Sequence, residues 1–414
     1  MVVAAYDPEQ IAEHTPAPVS VPVPAPVPAP VPVTGAPGPR RVVVAPDKFR
    51  GSLSAPEVAH HLANGLRRRI RDLDVVEVPV ADGGEGTLEA AFAAGYEQHR
   101  FEVPGPTGDP VRAALGIRGT RAVVELAAAS GLALLPGGTP RPLDATSEGT
   151  GALIRHALDA GCTRIVLGVG GSACTDGGAG LLRGLGARLL DADGGELAPG
   201  GAALRALTRV DLTGLDARLG TATVVLASDV DNALLGPGGA AAVFGPQKGA
   251  TPEDVLALDA GLTQFVAVLG AALGPRAADL SRAPGAGAAG GTGYAALAVL
   301  GAVRRPGVDV VLEFVGFAGR LDGAELVITG EGSLDAQSLS GKTPVGVARL
   351  AAAHGCPVVA VCGRNELTPA EQRGAGFSRV LALTELEPDL RRCMTDAAVL
   401  LEEAGEQLAA DLPA

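Results

Sequence analysis

Short apolar runs rich in β-branched residues recur along this chain, with glycine-rich turns and helix-start signals between them. The runs are 41–45 (RVVVA), 75–80 (VVEVPV), 122–126 (AVVEL), 164–167 (RIVL), 222–227 (ATVVLA), 309–313 (DVVLE), 324–328 (AELVI), 357–361 (PVVAV) and 379–383 (RVLAL). Runs that are apolar throughout, without alternation, suit strands buried on both faces, as in a parallel sheet. Ser54-Ala55-Pro56-Glu57 is a capping box opening a helix to about residue 70, with Val58, Leu62, Leu66 and Ile70 at helical spacing. Thr251-Pro252-Glu253-Asp254 and Thr368-Pro369-Ala370-Glu371 repeat the signal, and Pro344 suits the first turn of a helix ending near His354-Gly355. The alternation predicts an α/β architecture. In such folds ligands sit beyond the carboxyl ends of the strands.

At 414 residues the chain is long enough for two domains. Residues 15–40 form a Pro/Ala/Val tract, expected to be extended rather than packed, and 1–40 are set outside the fold. Asp7, Glu9 and Glu13 stand where a secretory signal would carry basic residues. No run reaches the ~18 uninterrupted apolar residues of a membrane span. A net charge of −13 and 3% aromatic residues argue against a nucleic-acid partner. The five cysteines form no CxxC pair and read as buried thiols in a reducing cytoplasm. The His60-His61 pair lacks further ligands nearby and reads as helix surface, not a metal site.

Five acidic, glycine-rich turns follow five of the runs: 46–52 (PDKFRGS), 82–87 (DGGEGT), 168–178 (GVGGSACTDGG), 228–232 (SDVDN) and 329–335 (TGEGSLD). One such turn would be ordinary turn chemistry. Five on the carboxyl side point to a common site. The chain has three lysines, Lys48, Lys248 and Lys342, all in glycine-rich turns. Glycine backbone offers N–H groups to anionic oxygens, lysine a compact charge, and carboxylates a base or ligands for Mg²⁺. Phosphoryl transfer needs this mixture, because it is mostly positioning and charge stabilisation. Gly341-Lys342-Thr343 resembles the end of a P-loop, but position 336 is Ala336 where that motif needs glycine. Gly168-x-Gly170-x-x-Ala173 is a passable dinucleotide fingerprint, which keeps an NAD-binding enzyme among the alternatives.

Taken in order, these motifs resemble the bacterial glycerate kinase family, type 1. The matching stretches are 45–55 (APDKFRGSLSA), 81–87 (ADGGEGT), 168–180 (GVGGSACTDGGAG), 227–250 (ASDVDNALLGPGGAAAVFGPQKGA), 285–295 (GAGAAGGTGYA) and 328–348 (ITGEGSLDAQSLSGKTPVGVA). The resemblance implies ATP- and Mg²⁺-dependent phosphorylation of D-glycerate to 2-phosphoglycerate by a cytoplasmic enzyme. It also implies a discontinuous Rossmann-like parallel-sheet domain, 41–78 plus 300–414, with a second α/β domain, 79–299, inserted and the active site in the cleft between them. Lys48 and Arg50 stand where the family pattern has Ser and Lys, and Cys174-Thr175 replaces a Thr-Asn pair.

On this reading Asp176 and Asp229 are candidates for the base, and Lys248 and Lys342 for neutralising the transferring phosphoryl. Asp47, Lys48, Arg50, Ser52, Asp82, Glu85, Gly170, Gly171, Ser172, Glu331 and Gly332 are candidates for binding substrate or phosphate. Asp231 and Glu331 are the candidate metal ligands. A kinase for another small hydroxy acid, a 3-phosphoglycerate-forming enzyme and a catalytically silent metabolite-binding protein stay open, as does a homo-oligomer.

Overall fold

The structure, a computed structural model, describes residues 40–410 and 412. The proline-rich tract lies outside the described residues. In chain order the strands are β1 (Arg41–Pro46), β2 (Asp74–Glu77), β3 (Glu97–Pro104), β4 (Pro110–Arg118), β5 (Arg121–Glu125), β6 (Arg164–Gly168) and β7 (Arg188–Leu190). They continue with β8 (Arg209–Asp211), β9 (Thr223–Ala227), β10 (Val303–Arg305), β11 (Ala324–Leu334), β12 (Val358–Asn365) and β13 (Phe377–Ala382). A five-stranded sheet has the order β13-β12-β11-β1-β2, and every pair in it is parallel. A six-stranded sheet, β10-β9-β6-β5-β4-β3, is parallel up to β5 and then antiparallel. The first sheet draws on both ends of the described chain and the second on the segment between them.

Helix starts follow the capping signals. The helix Ala55–Arg69 begins at Ser54 with its capping box formed, and Pro252–Leu273 and Pro369–Gly374 begin at the boxes of Thr251 and Thr368. Helix Ala55–Arg69 packs with helix Ala397–Ala410 on one face of the five-stranded sheet, burying Val42, Val44, Leu62, Leu66, Ile328 and Leu401 together. The helix Pro252–Leu273 is long and apolar enough to cross a membrane by composition. Its Leu258, Leu262, Phe265 and Leu269 are instead fully buried in the core that surrounds the six-stranded sheet.

Three local differences from the sequence reading are instructive. The run 309–313 is not a strand but part of the helix Gly307–Phe314. Val308, Val311, Leu312 and Val315 recur at helical spacing. The polar positions Asp309 and Glu313, four apart, take ion pairs from Arg349 and Arg305. The run looked strand-like because this helix is buried among apolar groups of both sheets, including Val43, Val327 and Ala227. Second, the segment 329–334 is not a turn. It extends β11, with Glu331 opposite Cys362 and Ser333 opposite Arg364. Gly330 permits this, since a Cβ there would lie 1.9 Å from the Val361 carbonyl oxygen. Third, β10 at 303–305 pairs with β9, so the chain leaves the six-stranded sheet after residue 305 rather than at 300.

At two points along the seam between the sheets, glycine backbone is in close contact with backbone. A Cβ on Gly307 would lie 1.9 Å from the Asp82 carbonyl oxygen, and one on Gly170 would lie 2.5 Å from the Gly84 Cα. Backbone therefore packs on backbone between the loop after β2 and the elements after β6 and β10. Gly307→Ala must push these apart, and overpacking of this kind costs about 1–3 kcal/mol. The expected result is a Tm lowered by several degrees in calorimetry; an unchanged Tm would show that the seam gives freely.

Candidate active site

In the five-stranded sheet the chain runs outward in one direction from β1 to β2 and in the other from β11 to β13. The reversal falls between β1 and β11, and a crevice opens outside the carboxyl ends at such a switch point. A cleft of about 660 Å³ lies there. Asp47, Lys48, Arg50 and Ser52 enter it after β1, and Asp82, Gly84 and Glu85 after β2. Glu331, Gly332, Ser333 and Asp335 come from β11 and its end, with Lys342 beyond them. Gly170 and Gly171, following β6, bring the second sheet to the same cleft.

Asp47 sits at the switch point and is 6% exposed. Its backbone N–H donates to the Gly330 carbonyl at 2.8 Å, tying β1 to β11. Thr343 Oγ1, at the start of helix Thr343–Ala353, donates to Oδ2 at 2.6 Å. The Lys48 N–H donates to Oδ1 at 2.7 Å. Burial nevertheless raises the pKa of Asp47, and nearby Asp82 adds to the rise while Lys48 opposes it. Lys48 Nζ lies 3.6 Å from Asp47 Oδ1 and donates to the Glu85 carbonyl at 2.6 Å. Burial works against that ammonium, yet Asp47, Asp82, Glu85 and Glu125 outweigh it and raise the lysine pKa.

Glu331 is pushed up to about 7, by burial first, against hydrogen bonding from Ser338 and the charge of Lys342. Its Oε1 is a buried oxygen with no hydrogen-bond partner. Lys342 Nζ makes one long contact, 3.3 Å to Gln337 Oε1. Asp82 Oδ1 accepts the Gly84 N–H at 3.1 Å.

Five of the predicted residues are placed elsewhere. Asp176 is fully buried and its carboxylate is spent on structure: it accepts from the Ser147 N–H (2.8 Å), Ser147 Oγ (2.9 Å), Gly178 N–H (3.0 Å) and Gly180 N–H (3.1 Å). A carboxylate so engaged is a loop anchor, not an accessible base. Lys248 is 2% exposed and donates to Ser172 Oγ (2.9 Å) and the Cys174 carbonyl (2.5 Å). It braces the 168–178 loop from behind, and Ser172, held by it, is also buried. Asp229 accepts the Gly307 N–H at 2.8 Å beside the sheet seam and does not line the cleft. Partial burial lifts it to about 6, against that hydrogen bond. Asp231 is well exposed, pairs with Arg304 at 2.6 Å and does not line the cleft that Glu331 lines. Among the described residues no cluster of three or more His, Cys, Asp or Glu has the arrangement of a metal cage.

All five cysteines are buried and free. Burial pushes Cys174 up to about 12, the reverse of a reactive thiol. His60 and His61 lie within helix Ala55–Arg69, with His61 Nδ1 2.9 Å from Glu402 Oε1. The cleft also holds residues that the sequence reading missed. Ser333 and Asp335 lay inside a recognised turn. Gly363 and Arg364 lie in the last part of β12, and Leu383 directly follows β13, so all three were within reach of the strand-end rule. Leu390, Cys393 and Met394 carried no sequence signal.

The glycerate kinase family model matches residues 42–412. The chain belongs to this family. Escherichia coli (strain K12) glycerate 2-kinase is 46% identical over 359 residues, 85% of this chain and 93% of its own. Bacillus subtilis (strain 168) glycerate kinase is 43% identical over 375 residues, 90% and 97% of the two chains. The crystal structure of a Salmonella typhimurium LT2 protein assigned as glycerate kinase 2 superposes with a TM-score of 0.78 at 42% identity, covering 90% of this chain and 98% of that one. Family membership rules against the NAD-binding alternative and accounts for the charged switch-point cleft.

Behind the cleft, Glu125 at the end of β5 accepts the Leu88 N–H at 3.0 Å. Burial raises it to about 7, against that bond and the charge of Lys48. The unfolded chain releases this proton near the usual glutamate range, so the folded form binds it more tightly. Wild-type stability is therefore eroded as pH rises from about 4.5 through 7. Glu125→Gln keeps an acceptor for Leu88 and removes the buried charge. It is expected to stabilise the fold by about 1–3 kcal/mol at pH 8 and by much less at pH 5. Urea titrations at both pH values test this, and equal effects at both would refute the assignment.

Proposed function

We propose that this protein is a cytoplasmic glycerate 2-kinase, transferring the terminal phosphoryl group of ATP to the C2 hydroxyl of D-glycerate with Mg²⁺. The observation that carries the reading is the convergence of Lys48, Lys342, Arg50, Asp47, Asp82 and Glu331 on one cleft at the switch point of a parallel sheet. Of two relatives matched over nearly their whole lengths, one is named glycerate 2-kinase and the other glycerate kinase.

The roles follow from what each side chain is free to do. Lys342 and Lys48 neutralise charge on the transferring phosphoryl, and the exposed guanidinium of Arg50 takes the glycerate carboxylate. Asp82 is the base for the C2 hydroxyl, because it lines the cleft with one carboxylate oxygen committed to the Gly84 N–H and the other open. Mg²⁺ in kinase sites is held by one or two carboxylates together with substrate phosphates, so the lack of a three-residue cage is no obstacle. Glu331 fits that requirement through its unpartnered buried Oε1, with Asp47 beside it. When bound, the ion supplies charge neutralisation across the phosphates.

The first assay couples the protein, Mg-ATP and D-glycerate to enolase with no phosphoglycerate mutase. Prompt phosphoenolpyruvate is expected; ADP release without it would mean attack by the 3-hydroxyl or hydrolysis of ATP, and no ADP would overturn the glycerate reading. Asp82→Asn is expected to lower kcat by about 10²–10⁴-fold with KM for ATP little changed. Glu331 must be ionised to hold a cation, so kcat/KM is expected to fall as pH drops through about 7. Glu331→Gln should remove that limb of the pH profile; its persistence would assign the limb to another group.

A further inference from the structure

The cleft has two chemically distinct ends, and the order of the strands sets them apart. The charged groups lie at β1, β2 and β11. Toward β13 the lining becomes Leu383, Leu390, Cys393 and Met394, with Gly363 and Arg364 between the two ends. The registers place these groups in sequence, since Glu331 of β11 is opposite Cys362 of β12, and Cys362 is opposite Ala382 of β13, next to Leu383. Three strand spacings of about 4.8 Å separate the β1 end from the β13 end by about 14 Å. A ribose and polyphosphate chain can bridge that distance.

Leu390 is 53% exposed and Met394 is 52% exposed, among the few large apolar side chains so open to solvent in the described residues. They lie four apart on the short helix Leu390–Thr395 and so share one face. That face is held in place from three sides. The Asp389 carboxylate caps the helix through the Arg391 N–H at 2.8 Å, and Cys393 is buried in the core beneath. Ser52 Oγ, from the loop after β1, donates to the Met394 carbonyl at 2.5 Å. A fixed apolar shelf continuous with a phosphate-sized, cationic end suits a flat heteroaromatic ring attached to a polyphosphate.

We infer that Leu383, Leu390 and Met394 form the seat of the purine base of the nucleotide. The polyphosphate crosses β12 and β11 past Gly363 and Gly332 toward Lys342. The acceptor lies at the opposite end, between Asp82 and Gly170. This inference rests on the kinase reading for the identity of its ligand. Ser52 is then a positioning residue, linking the acceptor-side loop to the base seat through the Met394 carbonyl.

The test uses the full chain and a Leu390→Glu/Met394→Glu double variant. Both positions are half exposed, so the substitutions leave the core intact, and Leu390→Met/Met394→Leu serves as the conservative control. Binding of Mg-ADP is measured by calorimetry, and KM is measured for ATP and for D-glycerate. The expected result is ADP affinity and KM for ATP worsened about tenfold or more in the Glu variant, both retained in the control, and KM for glycerate within about twofold. Unchanged ADP affinity, or a defect confined to glycerate, would overturn the inference. The two readings fail separately. ADP binding that depends on the shelf, without turnover of glycerate, would overturn the glycerate reading alone. Turnover with shelf-independent ADP binding would overturn the base seat alone.

Discussion

The short turn after β1, at Asp47, ties three separate parts of this molecule together. Its N–H holds β11 through Gly330, its carboxylate receives Thr343 from the start of a helix, and its neighbour Lys48 reaches the loop after β2 through the Glu85 carbonyl. The switch point of the sheet, the floor of the cleft and the loop that approaches the second sheet are thus connected by hydrogen bonds within two residues. Removing the Asp47 carboxylate would strand Thr343 and leave Lys48 with one fewer counter-charge. Asp47 is thereby a framework residue as well as a cleft-lining one.

The cleft carries more negative charge than its lysine and arginine side chains offset. Burial lifts Asp47, Glu125 and Glu331 above the ordinary carboxylate range, and Asp82 adds to the rise at Asp47. Such a site disfavours its own ionised carboxylates, and a bound cation would reverse this, in keeping with the magnesium-bound polyphosphate proposed above. The three lysines divide the work. Lys48 is the local counter-ion, Lys342 is nearly unengaged and faces the cleft, and Lys248 is a buried brace.

Much of the fold was legible from periodicity, because the apolar runs and capping boxes act locally. The capping signals at Ser54, Thr251 and Thr368 became helix starts because proline removes one free N–H group and a carboxylate at a fixed offset accepts another, wherever the helix goes. The run 309–313 was misread because burial on every side erases the alternation that separates helix from strand. The β3–β4 hairpin was missed because β3 opens on four polar residues, Glu97 to Arg100, and β4 carries the small residues Ala113, Ala114 and Gly116 where a β-branched run would mark a strand. The inserted arrangement came from resemblance to a family, since contacts between 41–46 and 324–334 leave no trace in local pattern.

At the site, composition identified which residues belong to glycine-rich turns but not which way their side chains face. Asp176 and Lys248 have the same motif signature as Asp82 and Lys342, and only burial separates them. The 168–178 loop meets the cleft with its backbone, at Gly170 and Gly171, and turns its one charged side chain, Asp176, inward, while Lys248 braces it from behind. That division is physically reasonable: a loop approached closely by the Gly84 backbone has no room for side chains on its outer face, so its carboxylate and its brace must lie behind. The residues that touch the ligand and those that hold the touching backbone rigid are then different residues of one motif. On the proposed reaction, substituting Asp176 or Lys248 would act through the placement of Gly170 and Gly171.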